Sequence, residues 1–117
     1  MPQLIAVGAK LFRINPVKNT VEYSCGTNGA VWVKRGIGSK FGRLKDLLWF
    51  NNKLFLLAET GIYQSRNDGA DWGCTGSGRP VENMVALMDG GQYMLGLTSD
   101  GRMWASYNEG ACWGCRG

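Results

Sequence analysis

GIYQSRNDGADWGCTG (residues 61–76) and GRMWASYNEGACWGCRG (101–117) are two copies of one pattern, and TVEYSCGTNGAVWVKRG (20–36) is a third. The copies align on Trp32, Trp72 and Trp113, which stand 40 and 41 residues apart. A glycine (Gly29, Gly69, Gly110) lies three positions before each tryptophan, and an aromatic (Tyr23, Tyr63, Trp104) lies nine before it. A period of this length identifies a whole architecture, because each repeat is one supersecondary unit that buries its apolar face against the next. The segments upstream agree. QLIAVGAKLFRIN (3–15), DLLWFNNKLFLLAE (46–59) and MVALMDGGQYMLGL (84–97) each hold two short apolar runs around Gly8-Ala9, Asn51-Asn52 or Asp89-Gly90-Gly91. Asn, Asp and Gly accept the positive φ that tight hairpins demand. NPVKNT, ETG and TSDG mark a second turn, and the NG, DG or EG before each Trp marks a third. Each repeat reads as four strands of about five residues joined by three hairpins. No helix is expected, since SKFGRLKDLLWF (39–50) is interrupted by Gly42 and runs into a strand-like stretch.

Composition bounds the rest. The 117 residues are 44% hydrophobic and 19% charged, with 18 Gly and 3 Pro, which is enough apolar content for one small folded domain, and the repeated strands make it all-β. The glycines have no three-residue period and no heptad runs through the chain, so collagen and coiled coil are excluded. No apolar run approaches the ~20 residues of a membrane helix. The opening MPQLIAVGAKLF has no basic n-region or cleavage site, so a cytoplasmic or virion-associated protein is expected. The count of His is 0, which removes the commonest proton shuttle and metal ligand, and no cofactor, metal or catalytic residue is expected.

Ser65-Arg66-Asn67-Asp68-Gly69-Ala70-Asp71-Trp72 and Ser106-Tyr107-Asn108-Glu109-Gly110-Ala111-Cys112-Trp113 resemble the Asp-box, or bacterial neuraminidase repeat, Ser-x-Asp-x-Gly-x-Thr-Trp. Cys25-Gly26-Thr27-Asn28-Gly29-Ala30-Val31-Trp32 is a degenerate copy. Asn67 and Asn108 replace the third-position Asp, Thr27 replaces it in the first copy, and no copy keeps the Thr before Trp. The resemblance implies a β-propeller, with the motif forming the hairpin between the third and fourth strands of each blade. It also implies that the tryptophans fill the wedges between blades. Sialidases, lectins and non-catalytic assembly factors share the motif. The blades fall at about 2–38, 44–78 and 82–117.

Propeller rings usually hold four to eight blades, and three cannot close one. Two copies meeting head to tail give six, so a homodimer is expected; three copies would give nine, outside that range. Cys112-Trp113-Gly114-Cys115 has redox spacing, but residues three apart on a strand sit about 10 Å apart on opposite faces, too far for a disulfide. Cys25, Cys74, Cys112 and Cys115 are therefore read as structural thiols, with Cys74 and Cys115 as small buried fillers. Trp49 and Phe50 are expected to pack or to line the channel, and Tyr107 to be exposed.

Lys34, Arg35, Lys40, Arg43 and Lys45 fall within twelve acid-free residues in the linker from the first repeat to the second. With Arg79 in the next linker and Lys18 in a neighbouring turn, they would give one rim of the propeller a basic mouth suited to anionic ligands. Arg35, Lys40, Arg43, Lys45 and Arg79 are the candidate contacts for acidic glycans, ahead of nucleic acid. Glu59 and Asp100 are the carboxylates expected there. The favoured function is a non-catalytic recognition module. A structural or virion assembly platform and a sialidase-like hydrolase are the alternatives, the latter short of the paired acids that glycoside hydrolysis normally uses.

Overall fold

The computed structural model describes residues 4–26, 29–35 and 41–116. Asn28, Thr27 and Lys40 lie outside the described residues. Strands β1 (Leu4–Val7), β2 (Lys10–Asn15), β3 (Thr20–Cys25) and β4 (Val33–Arg35) form the first antiparallel sheet, or blade 1. Blade 2 holds β5 (Leu44–Phe50), β6 (Lys53–Ala58), β7 (Gly61–Ser65) and β8 (Gly73–Gly76). Blade 3 holds β9 (Met84–Asp89), β10 (Met94–Thr98), β11 (Met103–Ser106) and β12 (Gly114–Cys115). A 3-10 turn, Val81–Asn83, leads into β9.

The turns form where the sequence writes them. Asn51 and Asn52 take φ of 54° and 60°, the left-handed pair that a two-residue hairpin needs to match strand twist. In the last hairpin of blades 2 and 3, Asp68-Gly69 and Glu109-Gly110 do the same, with φ of 60° and 87° and of 61° and 95°. Side chains lock these hairpins. Ser65 Oγ accepts from Gly69 N at 2.8 Å and donates to Asn67 Oδ1, which accepts from Asp71 N at 2.9 Å. Ser106, Asn108, Gly110 and Cys112 repeat the arrangement at the same distances. Asn therefore supplies the acceptor oxygen expected of Asp at this position.

Blades pack face to face, and alternation along each strand assigns every residue to one face. Phe12, Ile14 and Val21 of blade 1 meet Leu47, Leu54, Leu56 and Ala58 of blade 2. Phe55, Leu57 and Ile62, on the other side of blade 2, meet Met84, Leu87 and Met94 of blade 3. Trp72 packs against the first core and Trp113 against the second, as wedges between blades. Trp49 joins the first core and Phe50 the second. The first strand of each blade lies nearest its counterparts, β5 touching β1 on one side and β9 on the other.

Two expectations change. The register pairs Leu11 with Ser24, Leu54 with Ser65 and Met94 with Ser106, so the cognate of Ser65 in blade 1 is Ser24, not Cys25. The last hairpin of blade 1 is one residue longer, and a one-residue slip moves a side chain to the opposite face. Tyr23 consequently pairs with Phe12 and faces blade 2, while Tyr63 faces blade 1. The cysteines are the second correction: Cys25, Cys74, Cys112 and Cys115 are all exposed thiols. Cys74 and Cys115 sit on outermost strands, where the wedge between blades is widest and solvent reaches both faces.

Candidate functional site

The rim that carries the second hairpin turns and the blade-to-blade linkers was expected to be basic. Its frame is tightly bonded. Asn19, in a left-handed turn with φ of 54°, donates from Nδ2 to Gly42 O at 2.9 Å and accepts Leu44 N at 2.9 Å, tying blade 1 to the entry of blade 2. Thr60 Oγ1 donates to Phe41 O at 3.0 Å, and Ser99 N to Asn83 O at 2.9 Å.

The predicted cations separate on this frame. Arg43 and Arg79 are exposed on the rim, the first at the entry to β5 and the second before the entry to β9. Lys45 lies beside Arg43 but is half-buried, and its Nζ donates to Met84 O at 2.9 Å and Glu82 O at 3.3 Å. It works as a clasp from blade 2 to blade 3. Burial, with the Arg43 charge adding to it, holds the Lys45 ammonium below its ordinary pKa. Arg35 is not brought to this group. Its guanidinium lies over the Tyr23 ring at 4.6 Å, its Cβ approaches Gly69 of the next blade, and its Nε is buried without a hydrogen-bond partner. The expected carboxylates Glu59 and Asp100 are exposed, and Glu82 stands with them, exposed at the entry to blade 3. Thr98 donates to Asp100 Oδ1 at 2.6 Å, and that bond holds the Asp100 carboxyl below its usual range.

Behind the rim sits a group the sequence did not reveal. Asp46 is 0% exposed, at a bulge in β5, and bridges two innermost strands. Its carboxylate accepts Leu47 N at 3.0 Å on one oxygen and Leu87 N of blade 3 at 2.9 Å on the other. Burial raises its pKa to about 6, against the opposing pull of those two N–H groups. Sealed from solvent, it can titrate near neutrality but cannot reach a ligand.

On the opposite rim, Tyr93 and Tyr107 meet tilted by 37° with 5.2 Å between ring centres, Arg116 lies 5.4 Å over Tyr93, and Arg116 donates to the Tyr107 hydroxyl at 2.7 Å. Tyr107 is 70% exposed, as its hairpin position implies. A depression of about 350 Å³ beside it is lined by Asn51, Asp89, Gln92 and Glu109, among others. Sequence separation hid this cluster, which draws on residues from three hairpins.

Three four-stranded antiparallel sheets in succession, innermost strands together and tryptophan wedges between, define a β-propeller. The sequence profile of the DUF6242 β-propeller domain matches residues 3–115, and the chain belongs to that family. No curated protein matches the chain. Solved structures are similar in fold. PorZ, an essential bacterial surface component of the type-IX secretion system of Porphyromonas gingivalis, superposes with a TM-score of 0.75 at 16% identity over 96% of this chain. YCF48 from Cyanidioschyzon merolae gives 0.73 at 13% identity, and an ancestral GH74 enzyme gives 0.70 at 14% identity, each over 96% of this chain. The chain spans 15%, 35% and 17% of those three structures.

Proposed function

We propose that the chain is a non-catalytic recognition module of the Asp-box type that holds an acidic carbohydrate on the linker rim. The observation that carries this reading is the placement of Arg43 and Arg79, both exposed on the rim, with the Lys45 ammonium just behind Arg43. Guanidinium groups grip carboxylates and sulfates through paired, charge-assisted hydrogen bonds, and a rim fixed by backbone clamps presents them with little loop-ordering cost. The Ser–Asn–Gly hydrogen-bond pattern shared by blades 2 and 3 supports the Asp-box assignment. Lys40, outside the described residues, belongs to the same linker and is the remaining proposed contact.

A sialylated and sulfated glycan array, read at rising salt, tests the reading. Binding is expected to acidic glycans, to weaken with salt, and to fall at least about tenfold in Arg43→Glu or Arg79→Glu. Neutral glycans bound as well as acidic ones, or both variants binding like wild type, would refute it.

A further inference from the structure

The two end faces of this three-blade arc are the two halves of its internal seam. Strand register gives the equivalences. Ile14 of blade 1, Leu57 of blade 2 and Leu97 of blade 3 hold one position, and Val21, Ile62 and Met103 hold the position opposite it. In blades 1 and 2 these side chains are 0–4% exposed under the next blade, whereas Leu97 is 39% and Met103 41% exposed. Met88, at the position of Leu48, is 60% exposed against 6%. These residues, with Leu95, line an apolar groove of about 470 Å³ on the outer face of blade 3.

Blade 1 shows the complement. Leu4 holds the position of Leu47 and Leu87, which are 0% and 1% exposed against the preceding blade, and Leu4 is 60% exposed. Trp32, the cognate of the wedges Trp72 and Trp113, lies on the same face.

We propose that the occupant of the blade 3 groove is blade 1 of a second copy of this chain, and the reverse, so that two chains close one ring through two identical seams. This goes beyond the rim and is independent of what the rim binds. Continuity with the internal seams names the partner: the groove is shaped by the positions that receive a blade's back face, and blade 1 presents that face uncovered.

The new seam differs from the internal ones in two ways. Each internal seam carries a lysine-to-acid clasp, Lys10 to Asp68 at 2.9 Å and Lys53 to Glu109 at 2.6 Å. At the new seam the lysine position is Tyr93 and the acid position is Asn28, so that clasp is missing. Blade 1 also carries the Arg13–Glu22 ion pair, at 2.7 Å, where blade 2 has Leu56 and Tyr63 and blade 3 has Gly96 and Trp104. The Arg13 guanidinium also lies over the Trp32 ring at 4.0 Å, so the pair is already engaged within its own chain. Burying charges costs more than burying leucine and tyrosine, so this seam opens by dilution while the internal seams stay shut.

Sedimentation equilibrium of the 117-residue chain, wild type and two variants, tests the proposal. Leu97→Arg spoils the groove and Leu4→Arg spoils its complement, and both positions are solvent-exposed in one chain, so circular dichroism is expected to stay unchanged. Wild type is expected at the two-chain mass. Each variant alone weakens association more than about hundredfold, because an unpaired guanidinium is buried against apolar side chains. Mixed in equal amounts, the two variants recover pairing, since one of the two seams is then wild type on both sides. A wild-type chain that stays at the one-chain mass overturns the proposal. So does a Leu4→Arg variant that pairs like wild type, which would put two blade 3 faces together, and so does a mixture no heavier than its components.

Discussion

Stability should fall as pH rises from about 5 to about 7.5, the reverse of the usual acid-side loss, and Asp46 is the cause. Its carboxyl is fully buried and its pKa is raised from 3.8 to about 6. Between those values the folded chain keeps a proton that the unfolded chain has released. Folding therefore takes up a proton, and stability is greatest below that window and declines through it as pH rises. The shift is roughly two units at about 1.4 kcal/mol each, so the whole loss, which starts near the unfolded value and is complete by about pH 7, is about 3 kcal/mol, of which about 1.4 kcal/mol falls above about pH 5. With the urea slopes usual for small domains, the part lost between about pH 5 and 7.5 moves the unfolding midpoint down by between about 0.5 and 1.4 M. The window is clean because the sequence has 0 His. Glu109, held below its usual range by the Lys53 and Asn51 bonds, acts with the opposite sign and only at lower pH. The assay is urea unfolding followed by tryptophan fluorescence, in reducing buffer, at steps across that range. Asp46→Asn should flatten the profile. Its amide places an NH₂ against either Leu47 N–H or Leu87 N–H, a cost of about 1–3 kcal/mol, but it removes the buried charge. The variant should therefore match wild type near pH 7.5 and be weaker than it near pH 5. A wild-type profile that is flat or rising, or a slope that survives in Asp46→Asn, would refute the reasoning.

Other outcomes follow from the seams. A Cβ at Gly76 would collide with Gly110 O of the next blade, so Gly76→Ala should cost at least about 2 kcal/mol by thermal denaturation, while Gly114→Ala, with no atom within 4 Å of its Cβ, should be nearly neutral. Glu109→Gln loosens the clasp in which Lys53 donates at 2.6 and 2.9 Å and Asn51 at 2.6 Å, and should lower stability by about 1 kcal/mol, less at high salt. The same substitution should also reduce the loss of stability seen below about pH 4.5, because Glu109 no longer titrates.

The repeat was legible because its markers are residues with steep local requirements. Gly69 and Gly110 take a φ most residues avoid, and Trp72 and Trp113 fill wedges that only a large ring fills. Blade 1 was legible to within one residue. Its extra hairpin residue keeps the Gly-x-x-Trp spacing but slides Tyr23 to the opposite face, and spacing counted back from Trp32 cannot register that. The rim was legible as a run of cations but not as a division of labour. Arg43 and Lys45 are two residues apart, yet one is exposed and the other spans to Met84 O. That outcome depends on how blade 3 sits against blade 2, as does Asp46 meeting Leu87, 41 residues away. The thiols were misread because a strand position two after a half-buried Trp is buried only where the wedge is narrow, and β8 and β12 lie at its wide edge.

In the proposed two-chain ring, the arc is half of the circle. One chain alone has a radius of gyration of 13.5 Å over its Cα atoms and extents of 40 × 29 × 23 Å. Small-angle scattering in solution, extrapolated from a concentration series, should show the mass of two chains and a radius of gyration well above that value. A profile that fits the single arc at every concentration would contradict it.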